Sequence, residues 1–459
     1  MIAAPFFKKG MPCMNRRIFS LVPVLVLLLL CVGSTTASAL QFSDVPTEHW
    51  AYQEITRMSD RGVIQGNGGT FDPASEVSRQ AFLAMACRAS GLDERTLEAN
   101  GNWWQPLLAY AHYFEWCSPE EINESNRTQP ITRQLAAKLL INVLFSEEST
   151  DNSTAAFTDR SAVSSACLPH VRAASELGLI NGYADGSFRP QGTLTRAAAA
   201  AIISRALTAK EQSIPVVAGE TVQIPILMYH DVSYLGYGYS KTPEIFRTQM
   251  EELKKAGFNT IFFSQLIDYV EYGTALPEKP VIVTLDDGYM TNYTYVLPIL
   301  KELGMKAEIS VIGNAMIYAE WGMDWEQVRD MQESGLVCFQ AHTKALHDAV
   351  GRTGVLKKTD ETWAEYVQVF ADDAARIQEL LMQETGNQPQ VFTYPLGKHN
   401  PMTEAIIRQF GYKASLTTRD GVAEVTQGDP KSLYLMDRIG MDFRNGSVLS
   451  VLRQFGWKG

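Results

Sequence analysis

The sequence predicts a multidomain protein in which an all-α helical repeat domain is followed by an α/β domain, a deformed (β/α) barrel. Two patterns predict this fold class: a segment repeated within the first half of the chain, and alternating strand and helix patterns in the second half. The length of 459 residues suits two or three domains. A composition of 46% hydrophobic and 20% charged residues excludes a disordered, collagen-like or multi-spanning membrane chain, and the net charge of −11 argues against binding to nucleic acid.

The first 39 residues have the pattern of a signal peptide. Four basic residues precede an apolar run at 18–32, and the small residues Ala37-Ser38-Ala39 follow it. This order is typical of a cleaved secretory signal. An uncleaved anchor is the alternative, although the run is short for a membrane span. We therefore expect a secreted protein that keeps no stable membrane span after cleavage of residues 1–39.

A repeated segment fills the rest of the first half. Phe42-Ser43-Asp44 in the first copy recurs as Phe157-Thr158-Asp159 in the last, and both copies continue with a glycine-rich turn and a Phe-x-Pro segment. A weaker middle copy keeps Ile131-Thr132-Arg133 but has lost its leading half. Such self-similarity predicts stacked helical units that share one core. The three repeats are predicted at about 42–92, 102–146 and 157–206, each with a helix capped by Ser78, Thr132 or Thr195.

These repeats resemble the S-layer homology (SLH) module, whose pattern includes Phe-x-Asp, Trp-Ala, an Asp-Gly-x-Phe-x-Pro turn and Thr-Arg-Ala. The resemblance covers residues 42–206 and implies a helical trefoil that attaches a secreted protein to the anionic secondary polymer of Gram-positive-type cell walls. A guanidinium at the start of a helix suits a carboxylate. The alternative is that the arginines pair with local acids and only cap the repeats. The candidate residues for binding this polymer are Asp44, Trp50, Arg79, Arg133 and Arg196.

The second half, predicted as residues 223–459 after a linker at 207–222, alternates strands with helices. Apolar runs typical of strands lie at 224–228, 260–263, 281–285, 307–312, 336–339, 391–394 and 414–416. Helical patterns lie between them at 244–255, 295–303, 325–333, 362–385 and 403–410. This alternation predicts a parallel sheet that closes wholly or partly into a barrel, with its reactive groups at the carboxyl ends of the strands.

Polar side chains follow four of these strands. Two acids end one run and two histidines follow another, while single histidines follow two more: Asp286 and Asp287, His342 and His347, His230, and His399. Adjacent carboxylates at a buried strand end need a positive partner. One carboxylate with two imidazoles leaves open positions on zinc or a similar ion, as catalytic metal sites do. Because His342 and His347 are five residues apart, they can converge only from a loop.

Three of these segments resemble the motifs of polysaccharide deacetylases, the NodB-homology enzymes of carbohydrate esterase family 4. They are 284–289, 342–347 and 394–397, and residues 227–230 resemble the opening strand of the branch that acts on poly-N-acetylglucosamine. The resemblance implies metal-assisted hydrolysis of N-acetyl groups on an amino-sugar polysaccharide, either peptidoglycan or a poly-N-acetylglucosamine-like chain. It also implies one divalent metal, zinc in the first place, with cobalt, nickel or iron as alternatives.

The same resemblance assigns the site residues. It makes Asp286 the general base, and it makes Asp287, His342 and His347 the metal ligands. The third motif would line the substrate groove, with a backbone N–H near Leu396 as the donor to the oxyanion. The substrate-binding candidates are Tyr394, Pro395, Leu396 and His399.

Two departures from the family pattern bear on the mechanism. Thr393 stands where many members have an arginine, and the late histidine that protonates the departing amine has no counterpart in Leu435-Met436-Asp437-Arg438-Ile439. His230 is our catalytic candidate for that proton transfer, and His399 is the alternative. A secreted wall-binding protein that has lost turnover and a metal-dependent esterase for O-acetyl groups are the competing functions.

Overall fold

The structure, a computed structural model, describes residues 42–97, 101–145, 157–212 and 219–457. The predicted signal peptide at 1–39 lies outside these residues. No helix within the four described segments is both long and apolar enough to cross a bilayer.

The first part of the described chain is helical, and its three repeats meet in a ring. Its helices are α1 (Tyr52–Asp60), α2 (Arg79–Ser90), α3 (Trp104–Tyr113), α4 (Arg133–Leu144), α5 (Leu168–Glu176) and α6 (Arg196–Gln212). Single β-bridges join the segments that precede α2, α4 and α6, so that each repeat contacts the other two. The bridges pair Glu76 with Thr195, Ser78 with Pro130, and Thr132 with Thr193.

The helix that opens each repeat's second half begins where the sequence predicts. The hydroxyl oxygens of Ser78, Thr132 and Thr195 accept hydrogen bonds from the backbone N–H groups three residues later. Each such cap stabilises the helix by about 1 kcal/mol. The arginine of each repeat therefore stands in the first turn of a capped helix, with a fixed backbone position.

The second part is a closed parallel barrel of seven strands. In chain order the strands are β1 (Thr221–Ile224), β2 (Ile226–Tyr229), β3 (Asp231–Val232), β4 (Ser240–Lys241), β5 (Asn259–Thr260), β6 (Pro280–Asp287), β7 (Ala307–Val311), β8 (Val337–Ala341), β9 (Val391–Thr393), β10 (Ala414–Asp420), β11 (Ala423–Thr426) and β12 (Met436–Gly440). Around the barrel the order is β2-β12-β10-β9-β8-β7-β6, and pairing of β2 with β6 closes the ring. Strand β5 adds a short pairing to β6, while β1 with β11 and β3 with β4 form two small sheets.

Helices cover the outside of the barrel. They are α7 (Pro243–Lys255), α8 (Phe263–Tyr272), α9 (Leu297–Leu303), α10 (Ala315–Tyr318), α11 (Trp325–Glu333), α12 (Trp363–Thr385), α13 (Pro401–Gln409) and α14 (Val448–Gln454). All residues of β7, and all of β6 after Pro280, are buried, because barrel strands pack on both faces. The fold class predicted from the sequence is confirmed: helical repeats are followed by a parallel barrel.

Several elements differ from the predicted ones. The run predicted as a strand at 260–263 is a strand only to Thr260, and helix α8 begins at Phe263 because the buried carboxylate of Glu308 accepts the Phe263 N–H at 2.7 Å. Helix α6 extends to Gln212 and β1 begins at Thr221, so both ends of the segment predicted as a linker are secondary structure. Strands β11 and β12 and helices α8 and α14 were not predicted from the sequence.

The repeat domain and the barrel pack directly against each other. Helix α3 of the repeat domain lies on α12 of the barrel domain, where the hydroxyl of Tyr113 donates a hydrogen bond of 2.7 Å to Asp372 Oδ1. The rings of Phe114 and Phe410 meet edge to face with centroids 5.5 Å apart. Buried apolar residues of both parts belong to one continuous core. The two parts are therefore joined by packing as well as by the chain.

Candidate active site

Two adjacent carboxylates stand at the carboxyl end of β6. Asp286 and Asp287 are both buried, and the backbone turns sharply just after them, with φ of 73° at Asp287 and 83° at Gly288. The φ of Gly288 lies in the left-handed region, which glycine adopts without strain, so this turn favours glycine. Asp287, a non-glycine residue in the left-handed region, is held in a costly conformation of the kind that clusters at functional sites.

Asp287 meets two histidines that follow β8. Its Oδ1 atom lies 3.4 Å from His342 Nε2 and 3.5 Å from His347 Nε2, and one ligand atom from each residue lies within 4.8 Å of the others. His342 Nδ1 lies 2.8 Å from the carbonyl oxygen of Thr393, which leaves Nε2 free to face the cluster. Asp287 Oδ1 is buried and has no hydrogen-bond partner among the described residues. A carboxylate oxygen that binds a metal would be left without a partner in this way. The donor set therefore fits a divalent cation such as zinc.

The loop between the two histidines is held by a buried aspartate from α12. The carboxylate of Asp373 accepts the backbone N–H groups of Lys344 and Ala345 at 2.8 and 2.7 Å. Thr343 takes a left-handed conformation, with φ of 69°, at the start of this loop. These contacts turn the chain so that histidines five residues apart face a common centre, as their spacing requires.

Asp286 is paired with an arginine that the sequence analysis did not assign to the site. Arg438 of β12 is fully buried and donates two hydrogen bonds to the carboxylate, Nη1 to Oδ1 at 2.8 Å and Nη2 to Oδ2 at 2.7 Å. Burial raises the pKa of Asp286, but the charge of Arg438 and these hydrogen bonds outweigh it and hold that pKa well below its ordinary value. Asp286 is therefore a carboxylate at neutral pH.

His230, at the end of β2, forms an acid–imidazole pair. Its Nδ1 atom lies 2.7 Å from Asp442 Oδ2. Burial lowers the pKa of His230, but the hydrogen bond to Asp442 and the charges of Asp286 and Asp287 outweigh it and raise the pKa to about 9. The imidazole is therefore protonated at neutral pH. Asp442, like Arg438, lies in a segment for which the sequence analysis made no assignment.

These groups open into one pocket of about 800 Å³. Leu396 lines it and is 56% exposed. Asp287, His342 and His347, here called the metal-type cluster, line it as well, together with Asp286 and His230. Three predicted substrate-binding residues are not brought to the pocket. Tyr394 and Pro395 are buried beneath it, because the Tyr394 ring packs against Phe392. His399 follows the turn at Pro395–Gly397 and lines a different cavity, between the barrel and the repeat domain.

The arginines of the repeats bind loop carbonyls rather than acids. Arg196 of the third repeat donates to the carbonyl oxygens of Phe71 and Gln65 in the first, at 2.7 and 2.8 Å. Arg133 donates at 2.8 Å to each of the carbonyl oxygens of Phe188 and Asn181. Arg79 donates to the carbonyl oxygen of Glu121, so every repeat supports the loop of a neighbouring one.

Asp44 also has a structural contact, whereas Trp50 is open to solvent. The carboxylate of Asp44 accepts the backbone N–H groups of Phe71 and Asp72 at 2.7 and 2.6 Å. Asp159 does the same in the third repeat. Trp50 is 63% exposed. Of the five predicted polymer-binding residues, Trp50 is the one whose side chain is mainly free for a ligand.

Comparison with known proteins identifies both halves. Residues 273–415 match the family model described as polysaccharide deacetylase, and residues 41–83 and 156–200 match the S-layer homology domain. The chain contains a polysaccharide deacetylase domain preceded by S-layer homology domains. The middle repeat, which the sequence shows as degenerate, lies between the two matched S-layer homology segments.

Individual relatives resemble the deacetylase domain. A poly-beta-1,6-N-acetyl-D-glucosamine N-deacetylase of Escherichia coli (strain K12) is 29% identical over 211 residues, which are 40% of this chain and 31% of that protein. The protein YxkH of Bacillus subtilis (strain 168) is 28% identical over 217 residues, 47% of this chain and 71% of that one. The solved structure of IcaB from Ammonifex degensii has 26% identity and a TM-score of 0.43, over 51% of this chain and 96% of the other. This chain spans about a third of the length of the Escherichia coli relative.

Arg438 and His230 lie on strands other than those of the two motifs that depart from the family pattern. Thr393, at the position of the expected arginine, is buried and bonded to Ser310, while Arg438 contacts Asp286 from β12. The late histidine of the family pattern has no counterpart in this chain. Among the histidines that line the pocket with Asp286 and Asp287, His230 lies outside the metal-type cluster. A basic residue among apolar ones, as Arg438 is between Met436 and Ile439, is the sequence signal that could have pointed to a buried ion pair.

Proposed function

We propose that the protein is a secreted, cell-wall-attached, metal-dependent deacetylase that hydrolyses N-acetyl groups of an amino-sugar polysaccharide. One observation carries the proposal: Asp287, His342 and His347 converge in the same pocket as Asp286, which is paired with Arg438, and His230, which is paired with Asp442. A divalent ion bound by these three side chains, zinc or else cobalt, nickel or iron, would activate water and polarise the acetyl carbonyl.

Asp286 is the proposed general base. Its carboxylate is ionised, and Arg438 fixes its orientation through two hydrogen bonds. A base of this kind takes the proton of the attacking water as the new C–O bond forms, a contribution of about 10²–10⁴ in rate. The backbone N–H of Leu396, on the pocket wall, is the proposed donor to the oxyanion, and one such donor contributes about 10²–10³.

His230 is the proposed general acid. An amine leaves poorly unless it is protonated, and the imidazolium of His230 holds a proton at neutral pH because Asp442 stabilises its charge. Transfer of that proton to the amide nitrogen accompanies cleavage of the C–N bond, which yields acetate and a free amine on the sugar. This pairing of an acid with an amine leaving group favours N-deacetylation over O-deacetylation.

Acetate release by the full-length protein tests this function. The substrates are poly-N-acetylglucosamine, peptidoglycan and an O-acetylated glycan, each with and without a chelator. We expect chelator-sensitive release from N-acetylated glycans, abolished in Asp286→Asn and His342→Ala. His399→Ala is the matched control, because His399 lines the other cavity. Release only from O-acetylated glycans would favour the esterase, and no release from any would favour a wall protein without turnover.

The S-layer homology domains are the proposed attachment to an anionic polymer of the cell wall. Trp50 offers an exposed aromatic face, and the guanidinium groups of Arg79 and Arg196 are only partly buried. Arg133 is almost fully buried, so its share in ligand binding would be small. Sedimentation of the full-length protein with purified cell walls tests the attachment, and recovery of the protein only in the supernatant would contradict it.

A further inference from the structure

One wall of the reaction pocket carries aromatic rings that the proposed reaction does not use. Tyr237 and Tyr239 stack with ring centroids 5.6 Å apart, and Tyr239 stacks on Tyr289 at 6.0 Å. Tyr289 lies 4.7 Å from Trp321. These four residues, here termed the aromatic wall, all line the pocket, and Tyr239 lies 6.4 Å from the His230 ring.

The aromatic wall is open to solvent. Tyr237 is 54% exposed, and Tyr239 and Trp321 are 40% and 41% exposed. Contiguous exposed apolar side chains of this size mark a binding surface, because covering them removes apolar area from water. A pyranose ring presents an apolar face of C–H groups, which suits an aromatic ring. The wall extends beyond the reacting centre, where a neighbouring sugar of a chain would lie.

The segment between β3 and β4, which carries Tyr237 and Tyr239, is fixed at its two ends. The buried carboxylate of Asp231 accepts hydrogen bonds of 2.5 Å from the hydroxyls of Ser240 and Thr291. The buried ammonium of Lys241 donates to the carbonyl oxygen of Asp442 at 2.8 Å. This anchoring holds the two tyrosines against the pocket before a ligand binds, which lowers the entropy cost of binding. The segment between β3 and β4 lies outside the residues that match the deacetylase family.

The charges around the pocket favour sugars without negative groups. No lysine or arginine lines it among the described residues, and its cationic groups, His230 and the proposed metal site, lie at the reacting centre. Glu320 and Asp348 stand at its edge and are exposed. A carboxylated or phosphorylated sugar bound next to these two acids would be repelled by them. A sugar that carries a free ammonium would gain from both acids and from the face of Trp321 or a tyrosine.

We infer that the aromatic wall is a subsite for the sugar next to the reacting one, and that it accepts neutral or amine-bearing amino sugars and rejects anionic ones. This inference rests on the proposed function and specifies its substrate: an unbranched amino-sugar chain of several units, including one already partly deacetylated.

Chain-length and charge dependence of the full-length protein test the inference. The measured quantity is kcat/KM for acetate release from N-acetylglucosamine dimers and pentamers, a pentamer with one free amine, and a glycan of similar length with free carboxylates. We expect the wild-type protein to prefer the pentamer to the dimer by about tenfold, the size of one aromatic stacking contact. Tyr237→Ala should bring that ratio close to one, while Tyr237→Phe should preserve it. Tyr272→Ala is the matched control, since Tyr272 is also an exposed tyrosine but lines the other cavity.

Each outcome has one meaning. A pentamer-to-dimer ratio unchanged in Tyr237→Ala, or a carboxylated glycan deacetylated as fast as the neutral one, would overturn this inference and leave the proposed deacetylase intact. Absence of acetate release by the wild-type protein from every oligomer would overturn the proposed function, and this inference with it. An amine-bearing pentamer deacetylated at least as fast as the neutral one, together with a collapsed ratio in Tyr237→Ala, would support it.

Discussion

Replacing Arg438 should damage both the stability of the barrel and the reaction. The side chain of Arg438 is fully buried and that of Asp286 is 3% exposed. The two side chains share two hydrogen bonds of 2.8 and 2.7 Å. In Arg438→Met the carboxylate remains buried without its counter-charge, which destabilises a protein by about 3–5 kcal/mol. Without that charge Asp286 is also less ionised and less well oriented, so kcat should fall by about 10²-fold or more, the usual contribution of a general base.

Urea unfolding and acetate release measure the two effects. A double-mutant cycle with Asp286→Asn isolates the pair, because the double variant no longer has an unpaired buried charge and should recover much of the lost stability. Unfolding is followed in metal-free protein, so that metal affinity does not contribute. Arg444→Met is the matched control: Arg444 pairs with Asp420 at the surface, and its loss should cost less than about 1 kcal/mol.

Two results would refute this reasoning. One is a loss of stability in Arg438→Met no larger than in Arg444→Met. The other is a coupling energy near zero in the double-mutant cycle with Asp286→Asn. Either would mean that the arginine does not compensate the buried carboxylate.

Four further predictions concern the metal, pH and the repeats. His342→Ala should lose stoichiometric zinc in equilibrium dialysis, because it removes one of three ligands. Burial raises the pKa of Glu308 to about 7. Because this is above the unfolded pKa of about 4.3, the stability that depends on protonation of Glu308 is full below pH of about 4.3 and is lost as pH rises through 7. The urea midpoint should therefore fall between about pH 5 and 8, and it should fall less in Glu308→Gln. Arg133→Met should destabilise by about 1–3 kcal/mol, because two loop carbonyls lose their donor. Trp50→Ala should leave stability unchanged but reduce sedimentation with cell walls.

Each of these predictions has a contradicting result. An unchanged free energy of unfolding in Arg133→Met would show that its two carbonyl contacts do not stabilise the repeats. Full zinc occupancy in His342→Ala would remove that histidine from the metal site. A urea midpoint with the same pH dependence in Glu308→Gln as in the wild-type protein would show that Glu308 does not titrate as inferred. Equal sedimentation of the wild-type protein and Trp50→Ala would exclude Trp50 as a wall contact. Trp103→Ala is the matched control, because Trp103 is another exposed tryptophan of the repeats.

Strand ends and spacing predicted most of the catalytic centre. Asp286, Asp287, His342 and His347 each follow an apolar run, and carboxyl ends of parallel strands meet at one rim, so their convergence follows from local sequence and topology. Helix starts were predicted equally well where a hydroxyl caps them. These signals lie within a few residues of one another in the chain.

Partners that are distant in sequence could not be predicted in this way. Arg438 interrupts an apolar run and so conceals β12, and only its contact with Asp286, 152 residues away, explains a guanidinium inside a strand. Asp442 and His230 are 212 residues apart. His399 was predicted in the groove because it closely follows a motif. The positive φ of Leu396 turns the chain away there, and such a conformation has no clear sequence signature in a leucine.

Helix α12 gives the two halves of the protein a fixed spatial relation. Asp372 receives a bond from the repeat domain, and its neighbour Asp373 holds the loop that carries the histidines. Cutting the chain before the barrel would expose the apolar surface around Phe410, so an isolated barrel fragment would aggregate more readily than the intact protein. With the repeats attached to the cell wall as proposed, this packing would set the reach of the pocket, and only glycan strands lying at that distance from the point of attachment would enter it.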